Sequence, residues 1–166
     1  MKFFTIEWWS GEVVDDSHLF DDYRKHVEGI FGDLPPDHQR LDREVSLHDA
    51  HLLNLDIDLR SATLTLDLDG SGFDEESNSY FGRRFCLRYT EVESFKTTAN
   101  PEKGLPGPHG FGDLGYYEIY MLEAGLFEHR MLFSTGIVIT VLHRGFNLNY
   151  TDQKQEAEHV VGGNGG

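Results

Sequence analysis

The sequence predicts an α+β protein in which an N-terminal helix packs on one face of a strongly curved, antiparallel sheet of six or seven strands. Three observations predict this class. Apolar residues recur at helical spacing near the N-terminus, they alternate at every second position over most of the remaining chain, and glycines separate the alternating runs. Because alternating runs joined by short turns pair as neighbours, we expect the strands to be antiparallel.

The composition limits the size and the class of the protein. At 166 residues, of which 39% are hydrophobic and 13% aromatic, the chain is long enough to bury one core. We therefore expect a single α+β domain over residues 1–150 and a flexible tail over residues 151–166. A lone cysteine, Cys86, excludes an intrachain disulfide and favours a reducing, cytoplasmic location. No apolar run reaches the length of a membrane span, and the N-terminus does not read as a signal peptide.

The charge balance is strongly acidic. The chain has 29 acidic and 14 basic residues, for a formal net charge of −15. This charge repels nucleic acid and anionic membranes, so we expect neither as a partner, and it attracts a basic protein. Solubility alone is the competing explanation of the same charge. The chain has no P-loop, nucleophile elbow or dinucleotide fingerprint, so we expect no cofactor.

The best helix in the sequence lies close to the N-terminus. Six apolar residues recur there at helical spacing: Leu19, Phe20, Tyr23, Val27, Ile30 and Phe31. Asp16 or Ser17 is placed to cap the helix, and Gly32 is placed to end it. A shorter helix is predicted after Pro36. The aromatic opening, residues 3–9, predicts a strand or an aromatic anchor on the core.

Alternating leucines predict a hairpin over residues 53–68. If its turn centres on Arg60 and Ser61, three apolar pairs share one side of the sheet: Ile57 with Leu64, Leu55 with Leu66, and Leu53 with Leu68. A turn is predicted at residues 69–72, followed by a third strand over residues 80–95 with a bulge or an early end after Tyr89. Three more strands are predicted over residues 116–123, 126–133 and 137–143.

The predicted hairpin also carries an acidic stripe. Its polar side holds the carboxylates of Asp56, Asp58 and Asp67, with Asp69 nearby. Such a stripe suits a cationic protein partner. Arg84 and Arg88 have outward parity in the third strand, so neutralisation within the sheet is the competing interpretation. His109, in a glycine-rich loop, is a further candidate contact residue, although a solvated loop histidine explains it equally simply.

The run from Leu47 to His51 contains candidate metal ligands. His48, Asp49 and His51 place two imidazoles and a carboxylate within four residues. On a strand, Asp49 and His51 converge on one side, which favours either a metal or acid/base pair or a structural hydrogen bond between them. Residues 67–72 match the first half of an EF-hand loop, but the twelfth position is Asn78 rather than glutamate.

Two segments carry a family resemblance. The opening Phe3-Phe4-Thr5-Ile6-Glu7-Trp8-Trp9, and Leu47-His48-Asp49-Ala50-His51 leading into the leucine hairpin, resemble a family of uncharacterised bacterial cytosolic proteins. The second pattern is also similar to immunity-like proteins of bacterial toxin systems, which are small, often acidic, and bind a partner. The resemblance implies partner binding and brings no catalytic residues.

Three functional hypotheses follow. The leading one is a non-enzymatic protein-binding domain, of the immunity-inhibitor type, that recognises a basic protein through the acidic stripe or the long loop. The second is a small metal-dependent hydrolase that uses Asp49 and His51. The third is a structural homo-oligomer, because residues 116–123 carry apolar side chains on both sides of one strand.

Overall fold

The computed structural model describes residues 1–12, 18–98 and 110–153. Within these ranges there are three α-helices: α1 (Ile6–Trp9), α2 (Leu19–Ile30) and α3 (Pro36–Glu44), with a 3₁₀ turn at Phe31–Asp33. The eight strands are β1 (Ala50–Asp58), β2 (Thr63–Asp74), β3 (Ser79–Thr90), β4 (Ser94–Thr97), β5 (Asp113–Glu123), β6 (Leu126–Phe133), β7 (Val138–His143) and β8 (Gly145–Gln153). The α+β class is confirmed, with more strands than predicted.

All eight strands belong to one antiparallel sheet in the order β4-β7-β6-β5-β1-β2-β3-β8. The sheet is neither closed nor strongly curled, so the prediction of strong curvature is wrong. Its edge strands are β4, which is only four residues long, and β8, whose outer edge is contacted by α3. At that edge the carboxylate of Asp37 accepts a hydrogen bond from the Leu148 backbone N–H at 2.9 Å. A side chain thus takes the place of a ninth strand.

The predicted main helix is confirmed as α2, which lies along β5. The described pairing of β5 with β1 is limited to Leu114 and Asp113, so β5 has an edge that no described strand covers beyond that point. The Ile119 N–H donates to the Tyr23 hydroxyl at 3.1 Å, and His26 Nε2 lies 2.9 Å from the Ile119 carbonyl oxygen. Two side chains of α2 therefore satisfy the backbone groups of Ile119 on this edge. The predicted caps, Asp16 and Ser17, lie outside the described residues.

The register of the leucine hairpin is largely as predicted. Ile57 lies opposite Leu64, and Leu55 lies opposite Leu66. The third predicted pair is wrong, because Leu52 rather than Leu53 lies opposite Leu68. A β-bulge between Leu52 and Asn54 inserts one residue and shifts the alternation. As a result, Leu53 is half exposed.

The turn predicted at residues 69–72 is wrong. Strand β2 continues through these residues to Asp74, and the reversal comes at residues 75–78. Gly70 is needed for packing rather than for a turn, since a Cβ at this position would lie 3.0 Å from both Ala50 and the Phe85 ring. The Asp74 carboxylate accepts a 3.0 Å hydrogen bond from the Glu76 N–H and so initiates the real turn.

The third predicted strand ends early, as its change of phase indicates. β3 stops at Thr90, Glu91 adopts a left-handed backbone with φ of 50°, and the chain resumes as β4, which pairs with β7. Strand β8 was not predicted; it pairs with β3 and extends to Gln153, three residues past the predicted end of the domain. The rest of the predicted tail lies outside the described residues.

Apolar residues on both sides of β5 pack against the chain itself, whereas Leu122 near the end of the strand is 55% exposed. On one side, Ile119 packs with Val27 of α2 in a small buried cluster. On the other, Tyr116 stacks on Phe4, and Trp8 of α1 meets it edge-on. This packing accounts for Ile119 and Tyr116, two of the apolar residues that motivate the homo-oligomer hypothesis. None of the described helices is long and apolar enough to cross a membrane.

Candidate functional site

The four predicted carboxylates lie together on the outward side of β1 and β2. The register of the two strands gives their positions: Asp56 is opposite Thr65, Asp58 opposite Thr63, Asp67 opposite Asn54, and Asp69 opposite His51. Their inward neighbours on β2, Leu64, Leu66 and Leu68, are fully buried. We call the outward side carrying these four residues the acidic face. The alternation of the hairpin creates it directly.

Arginines of β3 neutralise the acidic face only in part. Arg84 lies opposite Asp69, and its Nε is 3.8 Å from the carboxylate. Arg88 lies opposite Thr65 instead of a carboxylate. Among the described residues, no Lys, Arg or His nitrogen lies within 4 Å of Asp56, Asp58 or Asp67. The acidic face therefore carries surplus negative charge.

Asp58 also stabilises the turn between β1 and β2. Its carboxylate accepts hydrogen bonds from the Arg60 N–H and the Ser61 hydroxyl, each at 2.8 Å, and so closes the β1–β2 turn. The Ser61 hydroxyl and the backbone N–H of Arg60 lower the pKa of Asp58 below its usual value. Since a hydrogen-bonded carboxylate is favoured in its charged form, Asp58 is anionic at neutral pH.

A shallow cavity of about 320 Å³ opens beside Asp67. Leu53, Asn54, Cys86 and Asn149 are among the residues that line it. The side chain of Leu53 is an apolar element in this polar region, and the residue is 50% exposed. Burial, followed by the nearby Asp67 carboxylate, raises the pKa of the Cys86 thiol, which disfavours a nucleophilic thiolate.

The predicted metal ligands are present but separated. His48 Nδ1 pairs with Asp49 at 2.9 Å, whereas His51 Nε2 pairs with Asp113 at 2.8 Å. Asp49 lies in a turn with φ of 63°, before β1 begins at Ala50, so the strand parity assumed for it does not apply. In the described part of the chain, no three His, Cys, Asp or Glu residues form a group arranged to hold a metal ion. His109 lies outside the described residues.

Three histidines that the sequence analysis does not bring together form a cluster in the interior. His38 of α3, His129 of β6 and His143 of β7 are each 0% exposed. The ring centroid of His38 is 5.4 Å from that of His129 and 5.1 Å from that of His143. The Nε2 atoms of His38 and His143 are 3.3 Å apart. We call these three residues the histidine cluster.

Hydrogen bonds determine the proton positions on two of these rings. His143 Nδ1 is 3.1 Å from the Gly145 carbonyl oxygen, which only accepts, so Nδ1 carries the proton. The Nε2 of a neutral His143 is then an acceptor, and His38 must donate to it through Nε2–H. This assignment leaves His38 Nδ1 as a lone pair with no hydrogen-bond partner among the described residues.

The third ring is also only half satisfied. His129 Nδ1 lies 2.8 Å from the Tyr89 hydroxyl, while its buried Nε2 has no partner among the described residues. Aromatic rings surround the histidine cluster: Phe146 stacks on His38 with centroids 3.8 Å apart, and Tyr117 meets His129 edge-on at 5.4 Å. Buried polar atoms without partners are uncommon and destabilise the folded state, so the unpartnered nitrogens of this cluster reduce the stability of the protein.

Burial keeps the histidine cluster neutral. It lowers the pKa of His38 well below the usual value, with smaller contributions from the two neighbouring histidines. It also lowers the pKa of His129 to about 3 and that of His143 to about 4. The reason is that a charged imidazolium loses its hydration in a dry interior and gains no anion in exchange.

A weak sequence signal for the cluster exists in the strand parity. His129 alternates with Phe127 and Met131, and His143 alternates with Ile139 and Val141, all of which are buried. A histidine in such a position is predicted to be buried. What the alternation does not show is that β6, β7 and α3 bring three of these residues together.

Comparisons with known proteins identify no family. No family model matches the chain, and no curated protein matches its sequence. A solved structure described as an uncharacterized protein from Neisseria gonorrhoeae is similar in structure, with 18% identity and a TM-score of 0.43. The match covers 63% of this chain and 93% of that one. This is a structural similarity to an uncharacterised bacterial protein, and it shows no link to immunity proteins.

Proposed function

We propose that this protein is a non-enzymatic binding domain that recognises a basic protein partner through its acidic face. One observation carries the proposal: four carboxylates share one outward surface, and Asp69 alone among them has a described cation within 4 Å. Like charges held together on a sheet repel one another. Binding of a cationic partner neutralises them, and this makes binding more favourable.

The half-exposed Leu53 strengthens the proposal. Protein interfaces combine an apolar anchor with charged groups, where the anchor supplies affinity and the charges supply orientation and association rate. Leu53 lines the same cavity as Asp67, so both kinds of contact are available at one place. The partner surface that fits this face has cationic side chains next to an apolar one.

The immunity-type role implied by the sequence resemblance is the specific form of this proposal. In that case the partner is a basic toxin, and the acidic face covers its working surface. Co-purification with the product of a neighbouring toxin-like reading frame tests this form, and a neighbourhood of metabolic genes counts against it.

The general proposal is tested with a short fluorescent peptide of alternating lysine and leucine, whose binding is followed by anisotropy at low and physiological salt. The double variant Asp56→Asn and Asp67→Asn removes two charges from the acidic face with little change in side-chain shape. We expect peptide affinity to fall roughly fivefold, or about 1 kcal/mol.

The matched control is Glu75→Gln with Glu76→Gln. Both residues are exposed in the β2–β3 turn, and the change in net charge is the same. If the control weakens peptide binding as much as the acidic-face variant does, binding follows net charge alone and the proposal is wrong.

A further inference from the structure

The histidine cluster lies where side chains of β3, β6, β7, β8 and α3 contact one another. β7 is near one edge of the sheet and β8 forms the other, yet Arg144 alone connects them along the chain. The Arg144 N–H donates to the Thr90 carbonyl oxygen at 3.3 Å, so the end of β3 lies against the same connection. α3 closes this corner by placing His38 against His143 of β7 and Phe146 of β8.

Each ring of the histidine cluster has a specific obstacle to taking up a proton. On His143 the added proton goes on Nε2, where it faces the N–H of His38 at 3.3 Å. On His38 the free position is Nδ1, and on His129 one nitrogen is equally unpartnered, so a proton there gains no described acceptor. Every added proton therefore introduces a buried charge without a counter-ion.

The groups that face the cluster from the surrounding elements provide no negative charge to balance an added proton. Tyr89 of β3 and Tyr117 of β5 are buried phenols, and Tyr117 donates to the Leu41 carbonyl oxygen. The charged pair on α3, Asp37 with Arg40 at 2.8 Å, is directed to Leu148 at the β8 edge. Among the described histidines, those within 4 Å of a carboxylate are His48 and His51, both on the surface.

We propose that the histidine cluster is an acid-sensitive switch, in which mild acidification separates α3 from the corner formed by β3, β7 and β8. The separation lets water reach the three rings, so each is protonated at its ordinary affinity. It also releases the Leu148 N–H at the β8 edge from Asp37, leaving that edge open. This inference is independent of the proposed function of the acidic face.

The direction of the pH dependence follows from proton counting. An accessible imidazole has a pKa of about 6.5 and the buried rings have lower values, so the opened state binds more protons and the closed state loses stability as pH falls. Three such groups together shift the equilibrium between the closed and opened states by up to about 1,000-fold for each pH unit below about 6.5. Carboxylates with a lowered pKa, Asp37 among them, add to this only nearer pH 4.

The test has two measurements on the full chain. Urea denaturation at several pH values between about pH 7 and pH 5 gives the pH dependence of the free energy of unfolding, and from it the number of protons taken up on unfolding. We expect the histidine cluster to contribute about 3 of these protons. Hydrogen exchange, corrected for its intrinsic pH dependence, is expected to show α3 and β8 losing protection before α2. Equal loss in α2 and α3 overturns the proposal.

The variant His38→Phe keeps the ring stack on Phe146 and removes one titrating group. We expect the measured proton uptake to fall by about 1. His18→Gln, which replaces an exposed histidine, is the matched control, and an equal fall in both variants overturns the proposal. Should His38→Phe fail to fold, the ring NMR signals of the wild-type protein decide the matter. Titration of any of the three buried rings near pH 6 in the intact fold overturns the proposal. The proposal is also overturned if a metal chelator at neutral pH destabilises the protein as much as acid does.

Discussion

The outward side of β1 and β2 and the protein interior hold their titratable groups in opposite ways. Outside, the acidic face keeps Asp56 and Asp67 in contact with water, where charge costs little. Inside, the histidine cluster and Tyr89 are held without charge, because they are fully buried and no carboxylate among the described residues pairs with the three histidines. The comparison shows that side-chain location decides the cost of a charge: an outward charge stays hydrated and costs little free energy, whereas a charge on an inward group opposes folding.

The largest expected contrast lies between two adjacent residues of β3. Leu87 is fully buried against the core, whereas Arg88 is exposed on the outward side. We expect Leu87→Ala to reduce the free energy of unfolding by about 2–5 kcal/mol, because it removes buried methyl groups and leaves a cavity. Arg88→Ala is expected to change it by no more than about 0.5 kcal/mol. Urea denaturation measures both, and similar losses contradict the assignment of the two sides.

Glu118 offers an intermediate case, a carboxylate that is buried and yet fully hydrogen-bonded. It accepts hydrogen bonds from the backbone N–H groups of Lys2, Phe3 and Phe4 and from the Tyr120 hydroxyl. We expect Glu118→Gln to cost about 2 kcal/mol, because an amide N–H₂ then faces backbone donors.

Loss of thermal stability measures this cost, and proteolysis at the N-terminus shows whether residues 2–4 detach. Glu128→Gln on the neighbouring strand is the control, since Glu128 pairs with the half-buried Arg130 rather than with backbone. An N-terminus that stays protected in Glu118→Gln contradicts the role assigned to this carboxylate.

Within the histidine cluster, Tyr89→Phe removes one hydroxyl and leaves the ring packing in place. His129 Nδ1 then loses its partner at 2.8 Å, for which we expect a loss of about 1 kcal/mol at neutral pH. Burial raises the pKa of Tyr89 well above its usual value, so the hydroxyl is not a source of pH dependence here. The stability loss measured at pH 7 and at pH 8 is therefore expected to be equal, and a difference between them contradicts the assignment.

The smallest stability effect is expected on the acidic face itself. Asp56→Asn with Asp67→Asn is expected to change the free energy of unfolding by no more than about 0.5 kcal/mol, while peptide binding weakens. Added salt is expected to reduce the difference in binding between the variant and the wild-type protein, since it screens exposed charges. A large loss of stability instead indicates that these carboxylates have a structural task.

Local pattern explains which parts of the fold the sequence predicted. Leu55, Ile57, Leu64 and Leu66 alternate strictly, so both their pairing and the outward placement of the intervening carboxylates follow from strand geometry. The bulge at Leu53 was missed because it interrupts the alternation at a single residue. At Gly70 the sequence predicts a turn, because nothing local distinguishes a turn from close contact with a distant ring such as Phe85.

By itself the sequence determined the α+β class, the main helix, most strands and the acidic face, since each depends on residues a few positions apart. Only the tertiary structure decided the histidine cluster and the partners of Glu118. Each joins residues about a hundred positions apart along the chain, such as His38 with His143 and Phe4 with Glu118. Periodicity shows which side of an element is buried, whereas the order of strands and the placement of α3 decide which buried groups meet.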